Sequence, residues 1–179
     1  MKKSDAKRQA IIERLADHLI VNGMKGASLR PLAAVAGMSD RMLLHYFADK
    51  KDLMTATLLL VAERLKTILQ SAHSEQLPFQ RLVSHLAGMI KDQHIRPYLT
   101  LWLELAASAA GGEEYYRTIA RQIGDSFFDW IASALKVEHE EDRKALAALA
   151  FATVEGFVLL DALGSDALIA NALDGLAIH

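Results

Sequence analysis

Apolar residues return at helical spacing through most of the chain. Ile11, Ile12, Leu15, Ala16, Leu19 and Ile20 recur three and four apart, which places them on one helical face and predicts an amphipathic helix over about residues 5–21. Asn22-Gly23 stops it. Two much shorter segments follow. Ser28 stands before Leu29, Leu32, Ala33 and Ala36, with Pro31 in the first turn, where its missing N–H does no harm, and Gly37 supplies the stop. Ser39 then caps a second short helix running to about Tyr46, with Asp40 beside its positive end. Asp49 starts the next helix, and Asp52 three residues later makes a weak relative of the capping box.

Beyond residue 50 the periodic segments lengthen. Residues 50–71 read as one helix with Leu53, Leu60, Val61, Ile68 and Leu69 buried and Leu58 and Leu59 widening its apolar surface. Leu77-Pro78 opens a helix to about Gln93. Arg96-Pro97 breaks the pattern, and Tyr98 begins a run to Ala110 that Gly111-Gly112 ends. A pair of strongly apolar helices is predicted over about 113–136 and 141–163. Ile119, Ile123, Phe127, Ile131 and Leu135 line a face of the first. Leu146, Leu149, Ala150, Thr153, Phe157 and Leu160 line the second, where Ala147, Ala152 and Gly156 permit close helix approach.

This period, with only three prolines in 179 residues, predicts an all-α protein with enough apolar residues for a sizeable core. The absence of cysteine excludes disulfides, thiolate zinc sites and thiol nucleophiles. Charges interleaved through the first 22 residues do not fit a signal peptide. Glu155 and Asp161 would be costly in a bilayer, so residues 145–163 are expected to form a buried helix of a cytoplasmic protein without membrane association. No G-x-S-x-G, P-loop, H-E-x-x-H or dinucleotide fingerprint is present, and His85 and His94 lack a third ligand. Neither catalysis, a metal nor a cofactor is expected.

A net charge of −2 conceals an asymmetry. Residues 1–54 carry ten Lys and Arg against six Asp and Glu, and the remainder ten against sixteen. An electropositive head on an acidic body suits a polyanion for the head alone. Two short helices joined by a glycine-containing turn, behind a stabilising helix, make the helix-turn-helix plan, whose second short helix enters the major groove.

The run Ser28-Leu29-Arg30-Pro31-Leu32-Ala33-Ala34-Val35-Ala36-Gly37-Met38-Ser39, followed by Leu43, Tyr46-Phe47, Lys50 and Leu53, resembles the DNA-binding signature of the TetR family of transcriptional regulators. The likeness is strong over residues 10–54; beyond them only length, helical character and layout match. It implies a helix-turn-helix domain over 1–54, a helical effector-binding and dimerisation domain over 55–179, and a ligand-responsive repressor bound as a homodimer to an inverted repeat in double-stranded DNA. Leu32, Ala33, Ala36, Met38, Leu43 and Phe47 are then core. Ser28, Tyr46 and Lys50 are expected at phosphates, and Asp40, Arg41, Met42, Leu44 and His45, behind the capping Ser39, at base edges. Arg41 is the best suited of these to guanine.

The chain also departs from the family pattern, in which a small residue is common at Arg41, Thr near Met42 and often Tyr at Leu44. These departures keep a second reading in view: a dimeric ligand-binding protein of the same fold whose DNA binding is lost or redirected. In the body, His85, Met89, Tyr98, Trp102, Glu104 and Phe127, with His94, Phe128 and Trp130 beside them, suggest a pocket for a small, largely apolar effector. The resemblance also implies that the helices over 113–136 and 141–163 form a four-helix seam with a second copy.

Overall fold

A computed structural model describes residues 3–72 and 75–177. The described residues form α1 (Lys3–Asn22), α2 (Leu29–Ala36), α3 (Asp40–Leu43), α4 (Lys50–Ser71), α5 (Phe79–Met89), α6 (Arg96–Ala110), α7 (Glu114–Ala134), α8 (Arg143–Ala162) and α9 (Asp166–Ala177), with single 3₁₀ turns at Met24–Gly26 and Glu140–Asp142. No strand forms among them. Leu77 and Leu135 make an isolated bridge, Leu77 donating its N–H to Ala134 O at 2.9 Å and accepting from Lys136 N at 2.8 Å. The expected all-α class is therefore the class observed.

The chain divides into two compact units. The first runs to Thr67 and takes in Thr100–Ile123; the second takes in Ile68–Leu99 and the described residues from Gly124 onward.

In the first unit the inward face of α1 is the one its spacing predicts: Ile11, Ile12, Leu15, Ala16 and Leu19 are all buried. Leu32, Ala33, Ala36, Leu43, Phe47, Leu53 and Met54 complete the same core. Gly37 ends α2 in the left-handed region (φ 71°), Met38 N–H reaching Ala33 O and Gly37 N–H reaching Ala34 O. That geometry satisfies carbonyls the helix end would otherwise leave bare. Regular helix in α3 stops at Leu43, short of the expected Tyr46, and the chain continues in tighter turns, His45 N–H to Met42 O and Tyr46 N–H to Leu43 O.

In the second unit α5 and α9 both pack on α8. The Arg143 guanidinium donates to Ala132 O and Leu135 O, each at 2.7 Å, and so caps the last carbonyls of α7 with a cation. The α5 helix ends at Met89, where three-residue turns take over to Ile95. Pro97 lies inside the first turn of α6 and does not interrupt the chain ahead of it, since a proline there withholds an N–H that has no helical partner anyway. Gly164 (φ 70°) stops α8 in the same way that Gly37 stops α2. The following α9 was not anticipated from the residue pattern.

Two apolar stripes differ from expectation. In α4 the buried set is Leu53, Met54, Thr57, Leu58, Val61 and Leu65, while Leu60, Ile68 and Leu69 are only half-buried. Thr57 is tolerated there because its hydroxyl donates to Leu53 O at 2.8 Å. In α8, Ala147, Ala150, Phe157 and Val158 are buried and Leu149 is exposed. Both helices are apolar around much of their circumference, so periodicity alone does not select the buried side.

Candidate nucleic-acid interface and cavity

The presentation of α3 begins with caps. Ser39, in extended backbone, accepts Met42 N–H on its hydroxyl at 3.3 Å. Ser28 takes the same extended backbone ahead of α2, with no side-chain cap bond. At the start of α4, Asp49 accepts Asp52 N–H at 2.8 Å, and the Asp52 carboxylate accepts Ala48 N–H at 3.0 Å and the Arg8 guanidinium at 3.0 Å. Arg8 also lies over the Phe47 ring, 4.7 Å from its centroid. The turn between α3 and α4 is thus tied to α1 by a cation with two partners.

Leu43 is wholly buried, and its burial orients its neighbours. With Leu43 inward, helical spacing turns Arg41 outward and sets Met42 on one flank; the C-cap Leu44, whose N–H still reaches Asp40 O, falls on the other, and His45 follows, exposed, in the tighter turn. Ser28, Ser39, Asp40, Arg41, Met42, Leu44, His45 and Lys50 are all exposed, and Tyr46 is half-buried. The Tyr46 ring meets His45 edge-on, with centroids 5.5 Å apart and planes at 80°. Lys25, Arg30 and Lys51 add exposed positive charge to the same unit. Among the head's acids, Asp52 is engaged by Arg8 and both Glu13 and Asp17 by Arg64.

Lys51 is held from below. Its carbonyl accepts the Tyr115 hydroxyl at 2.6 Å and its ammonium lies 5.5 Å from the Tyr115 ring centroid. Burial pushes the Tyr115 phenol above its ordinary pKa, which keeps the hydroxyl a donor. Glu104 has a comparable role in the first unit, its carboxylate accepting Met24 N–H at 2.5 Å beside Gly23. That carboxylate fills the space a Cβ on Gly23 would need, and Gly23 has φ 64°.

The second unit holds a cavity of about 180 Å³ lined by Leu69, Gln70, Glu75, Gln76, Leu82, His85, Leu86, Trp130, Ser133 and Ala134. Gln76 is fixed at its edge by donating to Ser133 O at 3.0 Å. His85 and Trp130 are therefore brought together. Met89, Tyr98, Trp102, Glu104 and Phe127 are not among these lining residues; all five are half-buried. The aliphatic wall escaped the sequence reading, although Leu82, His85 and Leu86, and likewise Trp130, Ser133 and Ala134, stand three and four apart, a spacing that puts each trio on one face. Among the described residues no cluster of His, Asp and Glu could hold a metal ion.

No family model matches the chain. It is 32% identical over 108 residues to the HTH-type transcriptional regulator BetI of Serratia proteamaculans, which covers 58% of this chain and 54% of that protein. To BetI of Pseudomonas fluorescens it is 28% identical over 170 residues, 90% of this chain and 84% of the relative. The chain thus spans little more than half the length of the first curated relatives that it matches. Its fold superimposes on a TetR-family transcriptional regulator from Cytophaga hutchinsonii with a TM-score of 0.74 at 19% identity, over 99% of this chain and 96% of that one. The multidrug binding protein EbrR, solved in complex with proflavin, gives 0.66 at 22% identity, over 95% and 99%. The structural likenesses establish the fold, and the BetI likeness extends to sequence.

Proposed function

We propose that the protein is a cytoplasmic transcriptional repressor that binds an inverted-repeat operator in double-stranded DNA as a homodimer and answers to a small, largely apolar effector. One observation carries the DNA-binding reading: a short capped helix and the turn after it present Arg41 and His45 to solvent beside a buried Leu43, in a unit where Lys25, Arg30, Lys50 and Lys51 are exposed while Arg8 and Arg64 engage Asp52, Glu13 and Asp17. In this reading Ser28, Tyr46 and Lys50 contact phosphates, while Asp40, Arg41, Met42, Leu44 and His45 face base edges behind the Ser39 cap. Phosphate contacts supply affinity and register, and base contacts supply sequence. The curated relatives are transcriptional regulators, and catalysis has no part in the proposal.

The effector's place is the cavity of the second unit, where aliphatic side chains and the Trp130 indole supply apolar surface and His85, Glu75 and Gln76 supply polarity for orientation. EbrR, of the same fold, holds proflavin; what carries over is a small organic ligand. Leu69 and Gln70 in the last turns of α4 line the cavity, and Lys50 opens the same helix. A ligand that prefers one position of α4 therefore biases DNA affinity, and a tenfold change requires about 1.4 kcal/mol of differential binding.

Selection of bound sequences from a random DNA pool by the purified full chain tests the first half. An enriched inverted repeat is expected, and enrichment of no sequence would overturn it. A thermal-shift screen of hydrophobic small molecules, followed by measurement of operator release, tests the second.

A further inference from the structure

We propose that Met42 and Leu44 read thymine in the operator through its C5-methyl group, one on each flank of the outward pair Arg41 and His45; the inference rests on the DNA-binding reading above. Among the described residues of the first unit, the exposed large hydrophobic side chains are Val21, Met42 and Leu44, and the last two flank one buried residue, Leu43, in α3 and its C-cap. Met42 is 53% exposed and Leu44 38%. Both were expected to meet base edges without a stated chemistry, and the chemistry follows from what they lack.

Leucine has no hydrogen-bonding group and methionine only a weak acceptor, so neither can pair with the donors and acceptors that base edges present. The major groove offers one apolar feature, the C5-methyl group of thymine. An exposed aliphatic side chain set beside that methyl removes apolar surface of both from water; beside the corresponding edge of another base it desolvates a polar group without return. Arg41 and Lys50, both exposed, provide the charge that draws a duplex to this face and not a neutral protein surface. The flanking geometry also makes the two readers separable, because Met42 and Leu44 lie on opposite sides of the helix and cannot share one methyl.

The experiment uses the selected operator with each thymine replaced in turn by deoxyuridine, which deletes only the methyl. For the wild-type chain at fixed salt, substitution at one or two positions in each half-site is expected to weaken binding about three- to fivefold per methyl. Leu44→Ala is expected to bind the thymine and deoxyuridine forms equally at one of those positions, and Met42→Ala at the other. Both substitutions fall on exposed side chains, and unchanged melting curves establish that the variants fold. Half-sites without thymine, deoxyuridine operators bound as tightly as thymine ones, or alanine variants that keep the wild-type ratio would each overturn the inference. Failure of the selection itself would instead remove the DNA-binding reading on which it rests.

Discussion

At Gly23 and Glu104 two residues fit each other so closely that neither substitution can be judged alone. The Glu104 carboxylate accepts Met24 N–H and fills the space beside Gly23, whose φ of 64° already disfavours a side chain. Glu104→Ala removes a charged acceptor from a partly buried N–H and is expected to lower stability by about 1–3 kcal/mol, with Glu104→Gln losing less because its amide oxygen still accepts. Gly23→Ala suffers both backbone strain and collision with the carboxylate. In Gly23→Ala/Glu104→Ala the collision disappears, so the double variant should be more stable than the sum of the singles requires. Urea denaturation of the four proteins measures the coupling, and strict additivity would show that the contact is not made. At the proposed interface, Lys50→Ala should weaken binding to all DNA sequences alike and flatten the salt dependence by about one charge, whereas Arg41→Ala should relax preference at one guanine in each half-site by about 1–3 kcal/mol; binding curves at several salt concentrations separate the two. Residues with local roles were legible in the sequence: Gly37 and Ser39 are required by a helix end and a helix start, and the structure shows both in those roles. Glu104 was not, because its partner lies 80 residues away in the chain and no spacing rule reaches that far.

The elements inherit their stability from such ends and from a few bonds between helices. Asp49 accepts Asp52 N–H at the start of α4, so Asp49→Ala should cost about 1 kcal/mol in thermal or urea unfolding. Farther along α4, Arg64 binds Asp17 at 2.7 Å and also Glu13, clamping α4 to α1. The Arg64 hydrogen bond, helped by Gln9, holds the Glu13 carboxyl below its ordinary pKa. A depressed carboxylate contributes stability above its unfolded pKa and loses it as pH falls through the folded value. Glu13→Gln is therefore expected to melt lower than wild type at pH 7, with the gap closing as pH descends through and below the ordinary carboxylate range. Because the Glu13 side chain is 44% exposed, the effect should be modest, from a few tenths to about 1 kcal/mol. A gap that persists unchanged at pH 3 would assign the loss to packing. The same scale explains where helix boundaries could be read. The starts of α2 and α4 carry strong cap residues, and both were placed correctly. The ends of α3 and α5 unwind into three-residue turns that keep the apolar spacing of a helix, so periodicity runs past them. Pro97 and the Gly164-Ser165-Asp166 junction read as breaks because a proline or glycine marks a boundary without saying on which side the next helix begins.

For the whole molecule the decisive feature is a surface that a single chain leaves uncovered. Ala145, Leu149, Ala152, Gly156, Leu159 and Leu163 recur along α8 and its C-cap at spacings of four and three, a heptad stripe on the side opposite the buried Ala147, Ala150, Phe157 and Val158. Leu149, Leu159 and Leu163 are 54%, 51% and 68% exposed, and Leu168 of α9 is 56% exposed. By length and composition this helix could cross a bilayer. Its Asp161, however, pairs with Arg96 at 2.9 Å, and Glu155 lies amid its apolar residues, so lipid is a poor match for the surface and a second protein helix a good one. A stripe with small residues at 145, 152 and 156 and leucines at 149, 159 and 163 is suited to a twofold seam, where each position meets its own kind or a near neighbour across the axis. Burying one leucine contributes about 1.5–3 kcal/mol, and symmetry doubles the contribution of each substitution. Leu159→Glu, at a side chain exposed in the single chain, should therefore leave the fold intact while weakening self-association by at least about a hundredfold. Sedimentation equilibrium at micromolar concentration is expected to show a dimer for wild type and a monomer for the variant. Affinity for an isolated half-site should survive in that monomer, while the gain from joining two half-sites in one inverted repeat should vanish, because it depends on two heads arriving together. A variant that remains dimeric would move the seam off α8, and a wild-type monomer would remove the twofold reading of the operator with it.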